Sequence, residues 1–326
     1  MSASALSETA GSPAAKSTVV TVTANPAVDQ TIWVPDFRAG AVNRVVREQI
    51  NAGGKGVNVA AFLAAFGIPV LATGFLGRPN AGLFEAFFEA RGIGHDFVSV
   101  PGTTRTGIKV VDDHAASTTD INFPGFTVSD GDVTELEARL RKAVSPGQWV
   151  VLAGSLPQGA PSSTYARLVR LAHDAGALVG VDTSGPALTE ALRAGPDLVK
   201  PNAAELEELT GRRLDERAEL LSAARELSVG GISTVVVSLG ADGAVFVRGN
   251  AAVVATPPAV RVASTVGAGD AMVAGTIAGT VRGLELADVA ALATAFSAVK
   301  ISQVGPHLDP AAVEQTARVV EVSELA

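Results

Sequence analysis

Apolar and polar positions along the chain switch between two periods. Short runs rich in β-branched residues at 70–75, 97–100, 149–153, 178–182, 198–200 and 234–238 end in Gly, Pro, Asn, Ser or Thr clusters and predict strands, several of them buried on both faces. Between and beyond them, 82–91, 132–144, 162–175, 186–194, 203–210 and 218–229 carry apolar residues at three- and four-residue spacing, which predicts amphipathic helices. Ahead of these, 18–23 reads as a first buried strand and 57–66 as a buried helix. Strands alternating with helices predict an α/β fold with a mostly parallel, doubly wound sheet.

Two segments break this rhythm. Residues 30–50 lack a helical period; 31–34 alternates, and Pro35-Asp36 and Ala39-Gly40 mark turns. Residues 104–111 and 117–123 read as a hairpin around Asp112-Asp113-His114. Both predict short strands protruding from the main sheet. Alternation puts Arg105, Gly107 and Lys109 on one face, which is either a solvated basic face or a lid surface that meets a sugar phosphate. An exposed sheet bearing Ile32, Trp33 and Val34 would also have apolar surface to hide, by dimerisation through the lid.

Composition narrows the possibilities. With 47% hydrophobic residues, 326 residues suffice for one large domain or two small ones. A net charge of −8 disfavours a general nucleic-acid role. The absence of Cys removes disulfides, thiol nucleophiles and Cys-based metal sites, and fits a cytoplasmic protein. His95, His114, His173 and His307 show no zinc spacing. The uncharged run 57–76 is long enough for a membrane span, but Gly67-Ile68-Pro69 cuts it into a helix and a strand. Residues 1–17, rich in Ala and Ser with no apolar core segment, read as a disordered tail, leaving 18–326 as the folded unit with lid segments inserted at about 30–50 and 104–126.

Candidate chemistry gathers at two glycine-rich helix starts. After Val260-Arg261-Val262, which alternates like a strand end, comes Ser264-Thr265-Val266-Gly267-Ala268-Gly269-Asp270, followed by an Ala/Gly/Val-rich run to residue 280 that reads as a buried helix. The unpaired N–H groups and positive dipole of a helix start suit a phosphate, and glycines let a ligand approach the backbone. Asp270 would repel that phosphate unless it acts as a base on a substrate hydroxyl; its other reading is an ordinary cap. The second start, Asn51-Ala52-Gly53-Gly54-Lys55-Gly56-Val57-Asn58, lacks the Walker A spacing. Lys55 reads as an anion contact or a solvated turn residue, and Asn58 points back at the same spot one turn in. Asp29, just past the first strand, is a turn residue or a ligand for substrate hydroxyls. Glu205 is a dipole partner on its helix or an outer-shell ligand of Mg2+.

In order, Asn25-Pro26-Ala27-Val28-Asp29, Gly53-Gly54-Lys55-Gly56-Val57-Asn58, Gly154-Ser155-Leu156-Pro157, Lys200-Pro201-Asn202-Ala203-Ala204-Glu205, Ser238-Leu239-Gly240-Ala241-Asp242-Gly243 and Thr265-Val266-Gly267-Ala268-Gly269-Asp270 resemble the motifs of the PfkB (ribokinase-like) carbohydrate kinases, over residues 19 to about 304. Within that family, Asn-Pro-Ala-x-Asp, the Lys of Gly-Gly-Lys-Gly and Thr119-Asp120-Ile121-Asn122-Phe123-Pro124-Gly125-Phe126 are most similar to the bacterial branch that acts on fructose 1-phosphate, with tagatose-6-phosphate kinases as near neighbours.

The resemblance implies a three-layer α/β/α sandwich with a small β lid. It implies ATP-dependent phosphorylation of D-fructose 1-phosphate at its 6-hydroxyl, giving fructose 1,6-bisphosphate, with Mg2+ as cofactor. By the same resemblance Asp270 would be the base, and Gly267, Ala268 and Gly269 would supply N–H groups to the transferring phosphoryl group. Asp29, Gly54 and Asn58 would bind the sugar. Lys55 and Arg105, with Ser155, would hold its existing phosphate. Asn202 and Glu205 would organise Mg2+ and nucleotide phosphates, Glu205 as the metal ligand. Lys200, Thr265 and the segment from Ser238 through Gly240 to Gly243 would belong to the nucleotide site. Alternatives are a kinase for tagatose 6-phosphate or fructose 6-phosphate, and a non-catalytic sugar-phosphate sensor, which would have no need of a base. A dinucleotide oxidoreductase would want Gly-x-Gly-x-x-Gly after the first strand, where this chain has Asn25-Pro26.

Overall fold

The computed structural model describes residues 19–115 and 117–325; the tail expected at 1–17 lies outside them. The first half of the chain forms β1 (Val19–Thr23), β2 (Ala27–Trp33), β3 (Arg47–Gly53), α1 (Lys55–Ala65), β4 (Val70–Gly77), α2 (Ala81–Glu89), β5 (Gly94–Val100), β6 (Arg105–Asp112) and β7 (Ser117–Asn122). Then follow α3 (Asp130–Ala143), β8 (Trp149–Ala153), α4 (Thr164–Asp174), β9 (Leu178–Asp182), α5 (Gly185–Arg193), β10 (Leu198–Val199), α6 (Ala203–Thr210), α7 (Arg217–Val229) and β11 (Thr234–Ser238). The chain closes with β12 (Ala244–Arg248), β13 (Ala251–Thr256), α8 (Ala268–Val281), α9 (Leu286–Ile301), α10 (Pro310–Ala317) and β14 (Glu321–Glu324).

The large sheet runs β14-β13-β12-β11-β10-β9-β8-β1-β4-β5. From β11 to β5 every neighbouring pair is parallel, while β11, β12, β13 and β14 pair antiparallel. Along β8, Val150 and Leu152 face one core while Val151 faces the other, as expected of a strand covered on both sides. One helix layer is α1, α2, α8, α9 and α10; the other is α3 to α7. The fold is therefore an α/β/α sandwich. The small sheet, in the order β3-β2-β6-β7, stands off its edge, with β2 and β6 parallel and the outer pairs antiparallel.

Three expectations are corrected. Residues 260–262 are not a strand end; the strand stops at Thr256 and the chain is irregular up to α8, with Val262 exposed. Trp33 and Val34 are not surface residues: they are buried within the subunit, and the Arg47 guanidinium lies 3.5 Å over the Trp33 ring. The lid's exposed apolar residues are instead Val42, Val45, Val46, Ile50, Ile121 and Phe123. The sheet also continues past β11 into an antiparallel extension that short alternating repeats did not reveal.

α8 carries the second glycine-rich start, so its placement sets the site. It is buried along almost its whole length and packs on α9. Close approach rests on glycine: a Cβ on Gly275 would lie 2.6 Å from Ala293 Cα, and one on Gly279 would lie 3.0 Å from a Val289 methyl. Gly275→Val is expected to destabilise the protein by about 1–3 kcal/mol through overpacking, read as a lower urea midpoint with unchanged m-value. An unchanged midpoint would show that the two helices do not depend on that contact.

Candidate active site

The C-terminal ends of the parallel strands, the start of α1 and the start of α8 face the underside of the lid. Between them is a cavity of about 440 Å3 lined by residues that include Asp29, Lys55, Arg105, Lys200, Glu205 and Asp270. Open parallel sheets collect ligands at this edge, where strand ends and helix N-termini converge.

At its floor, Gly267 is the N-cap of α8 with φ 83°, a left-handed conformation that glycine adopts without strain. That turn presents the first N–H groups of a 14-residue helix to the cavity, which Gly267 and Gly269 line. Ala268 differs from expectation. Its N–H is 3.3 Å from the Thr265 carbonyl, so it closes the turn, and neither Ala268 nor Thr265 lines this cavity.

Asp270 sits in the first turn of α8, buried, and accepts a 2.8 Å hydrogen bond from Asn58 Nδ2. It therefore does not cap its own helix; the bond spans from α8 to α1. Burial, with the nearby charge of Asp182 adding to it, pushes the Asp270 carboxyl up to about 6, while the Asn58 bond, Lys55 and Lys200 oppose the rise. A carboxylate with that value is poised to accept a proton near neutral pH.

Asp182, the last residue of β9, was missed in the sequence reading. It is buried, and its Oδ1 takes Lys55 Nζ at 3.2 Å and Lys200 Nζ at 3.4 Å. Its other oxygen has no partner among the described residues. Burial alone would lower Lys55, but Asp182 and Asp270 outweigh it and hold its ammonium above the ordinary lysine value. The sequence signal was available: an acid at the end of a predicted central strand is the feature that singled out Asp29.

The lid supplies the opposite wall. Asp29 on β2 pairs with Lys109 on β6 at 3.3 Å, and Lys109 was placed on the same face as Arg105 by alternation alone. A Cβ on Gly53 would fall 2.2 Å from Asp29 Oδ2, so the glycine start of α1 leaves room for that carboxylate. Gly54, with φ 110°, is the N-cap of α1. Arg105 lines the cavity, and its buried Nε has no partner among the described residues. Ser155 lies at the rim, where its Oγ accepts from Asn25 Nδ2 at 3.1 Å, and it is not among the lining residues.

On the far side, Asn202 and Glu205 form a reciprocal capping box at the start of α6, both bonds 2.8 Å. The dipole reading of Glu205 is thus realised, and its side chain still lines the cavity beside Ser238. Beyond Ser238 a second cavity of about 380 Å3 opens, lined by Gly240, Gly243, Pro257, Val260, Met272 and Ile301 among others. It is largely apolar, and its lining includes Thr294, whose Oγ has no partner among the described residues. The sequence reading reached Gly240 and Gly243 but not the α9 wall.

Among the described residues no group of three or more His, Cys, Asp or Glu could cage a metal ion, and no helix is long and apolar enough to cross a membrane.

Known proteins resemble this chain over most of its length. A relative from Rhodobacter capsulatus named 1-phosphofructokinase is 52% identical over 293 residues, 90% of this chain and 93% of its own. One of the same name from Escherichia coli K12 is 39% identical over 286 residues, 87% of this chain and 91% of its own. Among solved structures, phosphofructokinase-2 from Escherichia coli in complex with substrates and products superposes with a TM-score of 0.88 at 26% identity, covering 92% of this chain and 98% of that one. The model of the pfkB family carbohydrate kinases matches residues 20–312, and the chain belongs to that family.

Proposed function

We propose that this kinase transfers the γ-phosphoryl group of ATP to the 6-hydroxyl of D-fructose 1-phosphate, giving fructose 1,6-bisphosphate and ADP. The observation that carries the reading is Asp270: a buried carboxylate near pKa 6, fixed by Asn58 beside the open N-terminus of α8. The relatives' shared name, 1-phosphofructokinase, supports the choice of sugar.

In this reading the apolar second cavity takes the adenine, and the phosphates run along Ser238 and Asn202 towards Lys200 and Gly267. The sugar lies under the lid, with hydroxyls on Asp29 and its existing phosphate on Arg105 and Lys55. Asp270 takes the proton of O6. The O6–phosphorus bond forms as the bond from phosphorus to the β–γ bridging oxygen breaks, and ADP leaves with that electron pair. The N–H groups of Gly267 and Gly269 meet the charge on the equatorial oxygens. Glu205 and Asn202 are oxygen donors at the cavity edge, which fits a Mg2+ ion that keeps most of its waters and is held mainly by phosphates. When bound, the ion neutralises phosphate charge.

We also assign the exposed apolar residues of the lid, Val42, Val45, Val46, Ile50, Ile121 and Phe123, to a homodimer contact. Light scattering is expected to give the mass of a dimer at micromolar protein, and Val46→Glu with Phe123→Glu to shift it towards the monomer. A monomeric wild-type chain would remove the assignment.

A coupled ADP-release assay with fructose 1-phosphate, fructose 6-phosphate and tagatose 6-phosphate tests the substrate. The first is expected to lead in kcat/KM by ~100-fold, about 2.7 kcal/mol. A lead for a 6-phosphate would keep the base and overturn the sugar assignment.

Asp270→Asn is expected to lower kcat by ~10²–10⁴-fold while remaining folded. In the wild type, log kcat/KM should fall with unit slope below pH about 6, as the base is protonated. The same residue should affect stability. Its folded pKa lies above its ordinary 3.8, so a penalty on the native state builds up between pH 3.8 and about 6, is complete above that, and vanishes below the ordinary value. Asp270→Asn should therefore raise Tm at pH 7.5, and the gain should shrink as pH falls from about 6 towards 3.8. Near-normal kcat in the folded variant would remove Asp270 from its role.

A further inference from the structure

Phosphoryl transfer as derived above leaves a buried cation without a task. Lys300, in the last turn of α9, is 3% exposed, and its Nζ donates to the Gln303 carbonyl at 3.2 Å. An ammonium is costly to bury, though a helix C-terminus with its free carbonyls is a favourable place for one. Burial lowers the Lys300 pKa, and Asp270 acts against that lowering.

Three parts of the site meet at this lysine. The carbonyl of the next residue, Ile301, accepts the N–H groups of Ala263 and Ser264 at 2.7 and 3.1 Å, anchoring the loop that leads into Gly267. A Cβ on Gly267 would lie 3.3 Å from Lys300 Cε, and that same point is 3.9 Å from both Asp270 Oδ2 and Asn58 Nδ2. The Lys300 stem therefore packs beneath the anion-hole turn, next to the base. On its other side, the turn that Gln303 begins reaches the lid: a Cβ on Gly305 would lie 3.0 Å from Gln49 Nε2 and 3.6 Å from Asn51 Nδ2, both on β3.

We propose that Lys300 is a positioning residue for the transfer step: its stem packs the end of α9 under the anion-hole turn, and its ammonium, held by the Gln303 carbonyl, keeps a fixed positive charge behind Asp270. The charged groups that bear on Asp270 are Asp182 from β9, Lys55 from α1, Lys200 after β10 and Lys300 from α9. Lys55 and Lys200 share Asp182 and line the cavity, so arriving phosphates compete for both. Lys300 is not among the residues lining that cavity; it is buried and borders a small adjoining cleft that shares Asp29 and Asn58 with it. His307 beside it is held below its ordinary value by burial, Arg91 and Lys300, so it is neutral at pH 7 and does not substitute for the charge. Lys300 is thus the cation that stays with the base through the whole reaction.

This inference rests on Asp270 being the base, and its test is separable from that reading. Lys300→Met removes the charge and the hydrogen bond; Lys300→Gln keeps a donor for the Gln303 carbonyl; Lys300→Arg restores the charge. The Met and Gln variants are expected to lose ~10-fold or more in kcat with KM for both substrates changed by less than ~3-fold. Their acid limb should move up by about one pH unit, and Arg should recover most of kcat. A 13C-carboxyl NMR titration of Asp270, assigned with Asp270→Asn, should show the same upward move without any turnover, so it reports on Lys300 even if another group proves to be the base. A folded Met or Gln variant with wild-type kcat and an unmoved Asp270 titration would overturn the proposal, as would a loss confined to KM. If neither neutral variant folds while Lys300→Arg does, with less than a ~2-fold change in kcat, Lys300 serves stability alone and the proposal is likewise overturned.

Discussion

The arrangement depends on keeping one carboxylate charged where water is excluded. Asp270 stands at the start of a helix whose other first-turn groups invite anions, inside a fold that buries it fully. A lone carboxylate there would take up a proton. The structure surrounds it with a short bond from Asn58 and with lysines on α1, after β10 and on α9. These come from sequence positions far apart, and only the convergence of strand ends and helix starts brings them together. Asp182 acts in the opposite sense. It repels Asp270 while holding Lys55 and Lys200 in place, so the cations are positioned by one acid and lent to another.

Polar features at the margin of this centre also follow ordinary rules of the fold. The box of Asn202 and Glu205 starts α6 as such boxes start many helices. Glycines at Gly275 and Gly279 let α8 and α9 approach closely and keep the floor of the site from shifting. A turn mounted on such a pair is supported by close-packed backbone rather than by a loop.

Much of the architecture was legible because the strands from β1 to β11 are short, apolar and cleanly punctuated, and because the helices of the outer layer are amphipathic. What escaped had physical reasons. Helix α9 is apolar almost all round, so it offers no stripe to read, and Thr294 and Lys300 on it were invisible. β12 and β13 are buried strands joined by a tight turn rather than through a helix. The stretch 260–262 alternates in type but leaves the sheet, since the sheet edge there is already filled by β14. In the site, glycine-rich starts identified Asp270, Lys55 and Asn58 because anion sites need those backbone shapes. Asp182 carried a comparable signal of position but no glycine beside it. Trp33 and Val34 read as surface because a two-face alternation cannot say which face the rest of the molecule covers.

The pairing of β2 with β6 has a further consequence. It is parallel and joins residues nearly eighty positions apart, with Ala27 opposite Arg105. The lid cannot zip up as a local hairpin. Its central seam closes a loop that contains β3, α1, β4, α2 and β5, so its pairing is non-local. Ordering the lid half of the site therefore carries the entropy cost of closing a long loop, which no local turn can supply. A chain emerging from synthesis holds all four lid strands by residue 122, before Asp182, Lys200 and Asp270 exist to meet them.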